Sequence, residues 1–70
     1  MSKPPSLKYS HAARRLRDLG AHLARQGGGH EIWRCGCGEH QTALPRHTVS
    51  AYVVGQIGKR LPCLGEEWWR

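Results

Sequence analysis

Seventy residues make one small domain, which buries only about 60% of the surface its unfolded chain exposes. At 39% hydrophobic and 23% charged residues the composition is that of a globular chain and excludes a disordered one. A formal charge of +6 favours a polyanionic partner, with nucleic acid ahead of a membrane surface. No apolar run approaches the ~20 residues that cross a bilayer, and the basic opening MSKPPSLK lacks the apolar centre of a signal peptide. Cys35, Cys37 and Cys63 are odd in number, and two are separated by a single residue, which argues against a disulfide staple and for a reducing, cytoplasmic setting.

Residues 1–8 read as a flexible leader and residues 9–70 as the domain. Ser10 is the expected N-cap of a first helix, in which Ala12, Ala13, Leu16 and Leu19 form one apolar stripe. Arg14, Arg15 and Arg17 fall outside that stripe, and Gly20 is the expected stop. Three strands are expected next: a weakly alternating one over 21–26, one over 30–35 with Ile32 and Trp33 as apolar anchors, and one over 39–44. Gly27, Gly28 and Gly29 connect the first pair. Cys35-Gly36-Cys37-Gly38 reads as a tight turn between the second pair, and Pro45 ends the sheet. With Thr48 or Ser50 as cap, Val53, Val54, Ile57 and Leu61 make the apolar face of a closing helix. Gly55 and Gly58 weaken that helix by roughly 1 kcal/mol each relative to Ala. Pro62 stops it, and the GEEWWR tail adds a final turn. The order is α-β-β-β-α, an α+β fold in which hairpin connections make the three-stranded sheet antiparallel and both amphipathic helices cover one face of it.

Three glycines followed by His30 are the strongest local feature. The plain reading is a hairpin turn before an exposed histidine. The functional reading is that bare backbone admits a phosphate beside an imidazole, which takes and gives protons near neutral pH. If Cys35 pairs with Gly38, His30 faces Ala43 at about 5 Å. Pro45-Arg46-His47 then leaves the sheet at the glycine-turn end, with Arg46 within reach of a phosphate. His47 lies about 13 Å further along an extended chain and approaches only if the chain folds back. Cys35, Cys37, His40 and Cys63 raise the question of zinc, but Cys-x-Cys across a tight hairpin matches structural zinc spacing poorly, so reduced thiols and no metal are expected. The arginines of the first helix are either a solvated face or phosphate contacts. Trp68 and Trp69 form a sticky C-terminal patch unless they are buried against the sheet.

Taken together, RRLRDLG, GGGHEIW, LPRH, VVGQIGKRL and GEEWW follow one another in an order and spacing that resembles the HicA (YcfA-like) family of toxin messenger-RNA interferases, over about residues 9–69. The resemblance implies a double-stranded-RNA-binding-domain-like fold, a metal-independent endoribonuclease without cofactors, a single catalytic histidine mapping to His30, and a HicB-like antitoxin as partner. The chain departs from the family at Gly29, where the family has Ser. Reduced activity is expected if that hydroxyl orients the histidine or a phosphate.

The reading from the residues is thus an RNA-cleaving enzyme with His30 as its base. Gly28, Gly29, Arg25, Arg34 and Arg46 are its phosphate contacts, Arg14 and Arg15 are secondary ones, and His47 is an accessory candidate. The alternative is a non-catalytic RNA-binding module of the same fold. Phosphate binding alone needs Arg and Lys and has no use for an imidazole, which favours the enzyme.

Overall fold

The structure is a computed structural model that describes residues 3–65 and 67–70. Met1 and Ser2 of the leader and Glu66 of the acidic tail lie outside the described residues. Helix α1 spans Tyr9–Asp18, strands β1, β2 and β3 span His22–Gln26, His30–Arg34 and Gln41–Pro45, and helix α2 spans Ala51–Arg60. A single 3-10 turn, Pro62–Leu64, follows α2. The order is α-β-β-β-α, and the sheet is antiparallel in the order β1-β2-β3.

Helix α1 begins one residue before the expected cap. Lys8 occupies the N-cap position without a side-chain bond, and Ser10 sits inside the first turn. The helix ends as a glycine stop should. The Gly20 N–H donates to Arg17 O at 3.0 Å and the Ala21 N–H to Leu16 O at 2.8 Å, the paired bonds of a Schellman motif, with Gly20 at φ +94°. That stop leaves Leu19 outside the helix and 37% exposed, so the buried stripe is Ala12, Ala13 and Leu16. Ser50 caps α2 by accepting from the Val53 N–H at 3.3 Å.

Side chains alternate across a strand. Along β2 this sends Glu31 and Trp33 into the interior while His30 and Arg34 stay exposed and Ile32 half-buried. Trp33 and Leu44 share one buried cluster with Leu16 of α1 and Val54 and Ile57 of α2, so both helices cover the same face of the sheet. Trp68 is buried in that cluster, and its indole N–H donates to Val54 O at 3.1 Å. The tail is therefore core at Trp68, which removes the reading of a sticky patch. The end of the leader is anchored as well, since Leu7 and Val49 exchange backbone bonds of 2.8 and 2.7 Å and Leu7 packs on the core.

The β2–β3 register differs from the expected one by two residues. His30 pairs with Pro45, Ile32 with Ala43 and Arg34 with Gln41. The Cys35 N–H donates to His40 O, and the Gly38 N–H to Cys35 O, both at 2.9 Å. The connection thus runs over Gly36–Glu39 rather than over Gly36 and Cys37 alone. Gly38 takes φ +79° there, and a Cβ on Gly36 would come within 3.1 Å of Gly20 O, so the glycines serve a longer loop laid against the α1–β1 turn. No helix among the described residues is long and apolar enough to cross a membrane.

Candidate functional site

The β1–β2 hairpin closes when the Gly27 N–H donates to His30 O at 2.9 Å, with Gly28 and Gly29 at the centre of the turn. Gly29 has φ +83°, a backbone region that a side chain makes costly. This turn therefore favours glycine at position 29. Gly28 has no such requirement, and a Cβ placed on it would meet nothing within 4 Å. The space above the turn is open, and His30 stands exposed directly after it.

The sheet face turned away from the helices carries the cationic residues. Arg25 of β1 pairs with Ile32, and His22 pairs with Arg34, across an irregularity between Leu23 and Arg25. A shallow depression on this side is lined by Ala24, Arg25, Ile32, Arg34 and Gln41. Arg34 donates to Gln41 Oε1 at 3.3 Å across the β2–β3 pair. His30, Arg25 and Arg34 thus share one open surface.

Arg46 reaches the same end of the sheet. Its backbone N–H donates to Gly29 O at 3.3 Å, and the corrected register places Pro45 opposite His30. The Arg46 side chain, 55% exposed, leans toward Glu31, with Nε 3.9 Å from Oε2. The register also brings His47 closer: two residues beyond Pro45 is about 7 Å of extended chain, not the 13 Å expected. The His47 Nδ1–H donates to Thr48 O at 3.0 Å, which leaves Nε2 as the lone-pair nitrogen of the neutral ring.

Arg14 and Arg15 are not gathered with these groups. Both belong to α1, on the far side of the sheet from His30. Arg15 is already engaged, donating from Nε to Trp68 O at 3.1 Å and from Nη1 to Asp18 at 3.4 Å.

Glu31 is the residue that sequence reasoning missed. It is 2% exposed, yet it is a carboxylate. Oε1 accepts from the Tyr9 hydroxyl at 2.6 Å and from the Trp33 indole at 3.1 Å, and Oε2 accepts from the Gln26 amide at 3.4 Å. Burial pushes its pKa up. The three donors and the Arg46 charge outweigh burial and hold the carboxyl below its usual range. The bond to Glu31, reinforced by burial and by the carboxylate charge, raises the Tyr9 pKa in turn. Strict alternation was the available signal, because Glu31 and Trp33 must face the same way whichever face that is.

At the other end of β2 a disulfide joins Cys35 to Cys37, which corrects the expectation of reduced thiols: the Gly36–Glu39 loop holds their Cα atoms 5.4 Å apart, within disulfide reach. Their sulfurs and a His40 ring nitrogen form a group of atoms that all lie within 4.8 Å of one another. Cys63 is exposed and is not among them.

The fold and surface define a small α+β domain with one packed sheet face and one open, cationic sheet face that ends in an exposed histidine beside a glycine turn. No protein-family model, curated protein or solved structure matches the chain.

Proposed function

We propose that the protein is an endoribonuclease of the messenger-RNA interferase type, similar to the HicA toxins, with His30 as its catalytic base. The observation that carries this reading is the joint placement of the open Gly28-Gly29 turn, exposed His30 and Arg46 at one end of the sheet, with Arg25 and Arg34 continuing along the same open face, Arg34 about 13 Å along β2 from His30. RNA phosphates would lie over the turn, neutralised by those arginines. His30 takes the proton of a ribose 2′-hydroxyl, and the 2′-oxygen attacks the adjacent phosphorus. The bond from phosphorus to the 5′-oxygen breaks, leaving a 2′,3′-cyclic phosphate and a 5′-hydroxyl. The arginines stabilise the charge that develops on the phosphoryl oxygens. His47, once protonated at Nε2, is the candidate that supplies the leaving oxygen's proton, because its other nitrogen is held by Thr48 O. A HicB-like antitoxin is the partner this reading calls for, and the cytoplasm is its setting.

The test is His30→Ala, measured by single-turnover RNA cleavage and thermal melting beside wild type. Loss of a general acid–base group lowers the rate by about 10²–10⁴-fold. The exposed position keeps the stability change within about 0.5 kcal/mol. Full activity in the variant overturns the assignment, and lost activity with a collapsed melting transition makes His30 structural.

A further inference from the structure

We propose that Cys35, Cys37 and His40 form a three-ligand site for a Zn²⁺ ion at the tip of the β2–β3 hairpin once a thiol reductant has opened the Cys35–Cys37 disulfide to two thiols. Two thiols and an imidazole are the donor types zinc selects, and the exposure of Cys37 leaves solvent access for a fourth ligand.

The geometry removes the sequence-level objection. A Cys-x-Cys pair across a two-residue turn would send the following histidine along the returning strand, out of reach. The Gly36–Glu39 loop instead places His40 opposite Cys35, tied by the Cys35 N–H to His40 O bond. The His40 Nδ1 lies 3.2 Å from the Cys37 sulfur and 3.7 Å from the Cys35 sulfur. Tetrahedral zinc, with bonds of about 2.3 Å to sulfur and 2.0–2.1 Å to nitrogen, sets that edge at about 3.6 Å. Cys35 is wholly buried and fixed by two backbone bonds, so it is a rigid ligand, while reduction of the disulfide releases exposed Cys37 to turn its sulfur toward an ion.

The disulfide that the structure holds is the competing, oxidised state of the two sulfurs. A bond between residues two apart closes the shortest of loops, and such loops restrain the unfolded chain least. It also leaves His40 unused, whereas an ion ties the start of β3 to the end of β2. Cys35 is about 16 Å along the strand from His30. The ion is therefore a staple for the hairpin and stands apart from the proposed cleavage chemistry.

The full chain, reduced with a phosphine, is titrated with Zn²⁺ in competition with a chromophoric chelator, and separately with Co²⁺. Wild type should take up one ion per chain, and the cobalt form should show thiolate-to-metal charge transfer and tetrahedral ligand-field bands. Cys37→Ser and His40→Ala should each weaken binding by more than the roughly 10–100-fold that loss of an outer-shell partner causes. Cys63→Ser should bind as wild type. Free Zn²⁺ at about 100 times Kd should raise the wild-type Tm by roughly 10–20 °C and leave the two ligand variants unmoved. The site is refuted if the reduced chain takes up no ion, or if both ligand variants bind as wild type does. A purified chain lighter by two hydrogens that takes up no zinc after reduction assigns the thiols to a disulfide instead. None of these readouts involves RNA, so the outcome is independent of the proposed nuclease.

Discussion

Replacing Glu31 offers the most direct measure of what holds the sheet to the first helix. Its carboxylate accepts from α1 through Tyr9, from β1 through Gln26 and from its own strand through Trp33. Glu31→Ala leaves the buried Trp33 N–H with no acceptor, at about 1–3 kcal/mol. The lost bond from Tyr9 adds about 1 kcal/mol more, since Tyr9 is only half-buried and can turn to water. Arg46 is exposed enough to be resolvated at little cost. The sum, about 2–4 kcal/mol, is a large share of a small domain's stability and should lower Tm by at least about 10 °C. Glu31→Gln keeps an oxygen for Tyr9 and Trp33 and loses only the charge, so about 1 kcal/mol is expected.

Acid unfolding separates the charge from the contacts. The native Glu31 carboxyl is held below its ordinary value of 4.5. Below that value the unfolded chain binds more protons than the native one, so stability falls with pH until the native carboxylate itself titrates. Tyr9 acts at the other end. Its native pKa is raised above 10.0, so the stability it contributes is present below that pH and is lost as pH rises through the native value. Urea melts of wild type and Glu31→Gln between about pH 2 and 7 should show a shallower acid limb in the variant. An identical acid limb refutes the depressed carboxyl, and a Glu31→Ala protein that melts with wild type refutes the network's contribution.

Gly29→Ala should destabilise by about 1–2 kcal/mol because of its left-handed φ. Gly28→Ala, where a Cβ meets nothing, should leave Tm unchanged or slightly raised yet weaken RNA binding if a phosphate lies on that backbone. Arg46→Ala should flatten the log–log salt dependence of single-stranded RNA binding by roughly 0.7. Arg15→Ala should leave that slope unchanged while lowering Tm through its bond to Trp68 O; a changed slope would return Arg15 to the RNA site. EDTA should lower the Tm of the reduced, zinc-loaded chain but leave the single-turnover cleavage rate intact at temperatures where the chain stays folded. Loss of cleavage rescued by Mg²⁺ would place a metal in the reaction.

The elements were legible where local chemistry decides them. The Ala12-Ala13-Leu16 stripe with Gly20 behind it carries both the face and the stop of α1, and Ser50 carries the cap of α2 as a local bond. Register was not legible, because CGCG satisfies a tight turn as well as part of a longer loop. What selects the loop is a tertiary approach, Gly36 lying on Gly20 O, which no local pattern records. That shift by two residues is also what brings Pro45 opposite His30 and His40 opposite the thiols. The burial of Glu31 was obscured because Ile32 and Trp33 were both read as core anchors, although neighbours in a strand cannot share a face. Trp33 is buried and Ile32 lines the open side.

The pairing of Glu31 with His30 explains how an exposed histidine on a two-glycine turn can hold a defined direction. A glycine hairpin gives its flanking residues little restraint, since Gly28 and Gly29 have no side chains to pack. Glu31 supplies the restraint from the other side. Its bonds to Tyr9, Gln26 and Trp33 fix the start of β2 against α1 and β1, and alternation then obliges the His30 side chain to leave the opposite face. The same carboxylate draws the Arg46 guanidinium to within 3.9 Å, at the end of the sheet where Pro45 already faces His30. A buried anion thus orients the exposed histidine through the backbone and the exposed cation through space. In the proposed ribonuclease Glu31 is accordingly a positioning residue: Glu31→Gln, which keeps the bonds from Tyr9 and Trp33, should lower the cleavage rate through a misplaced Arg46, whereas an unchanged rate would confine Glu31 to stability.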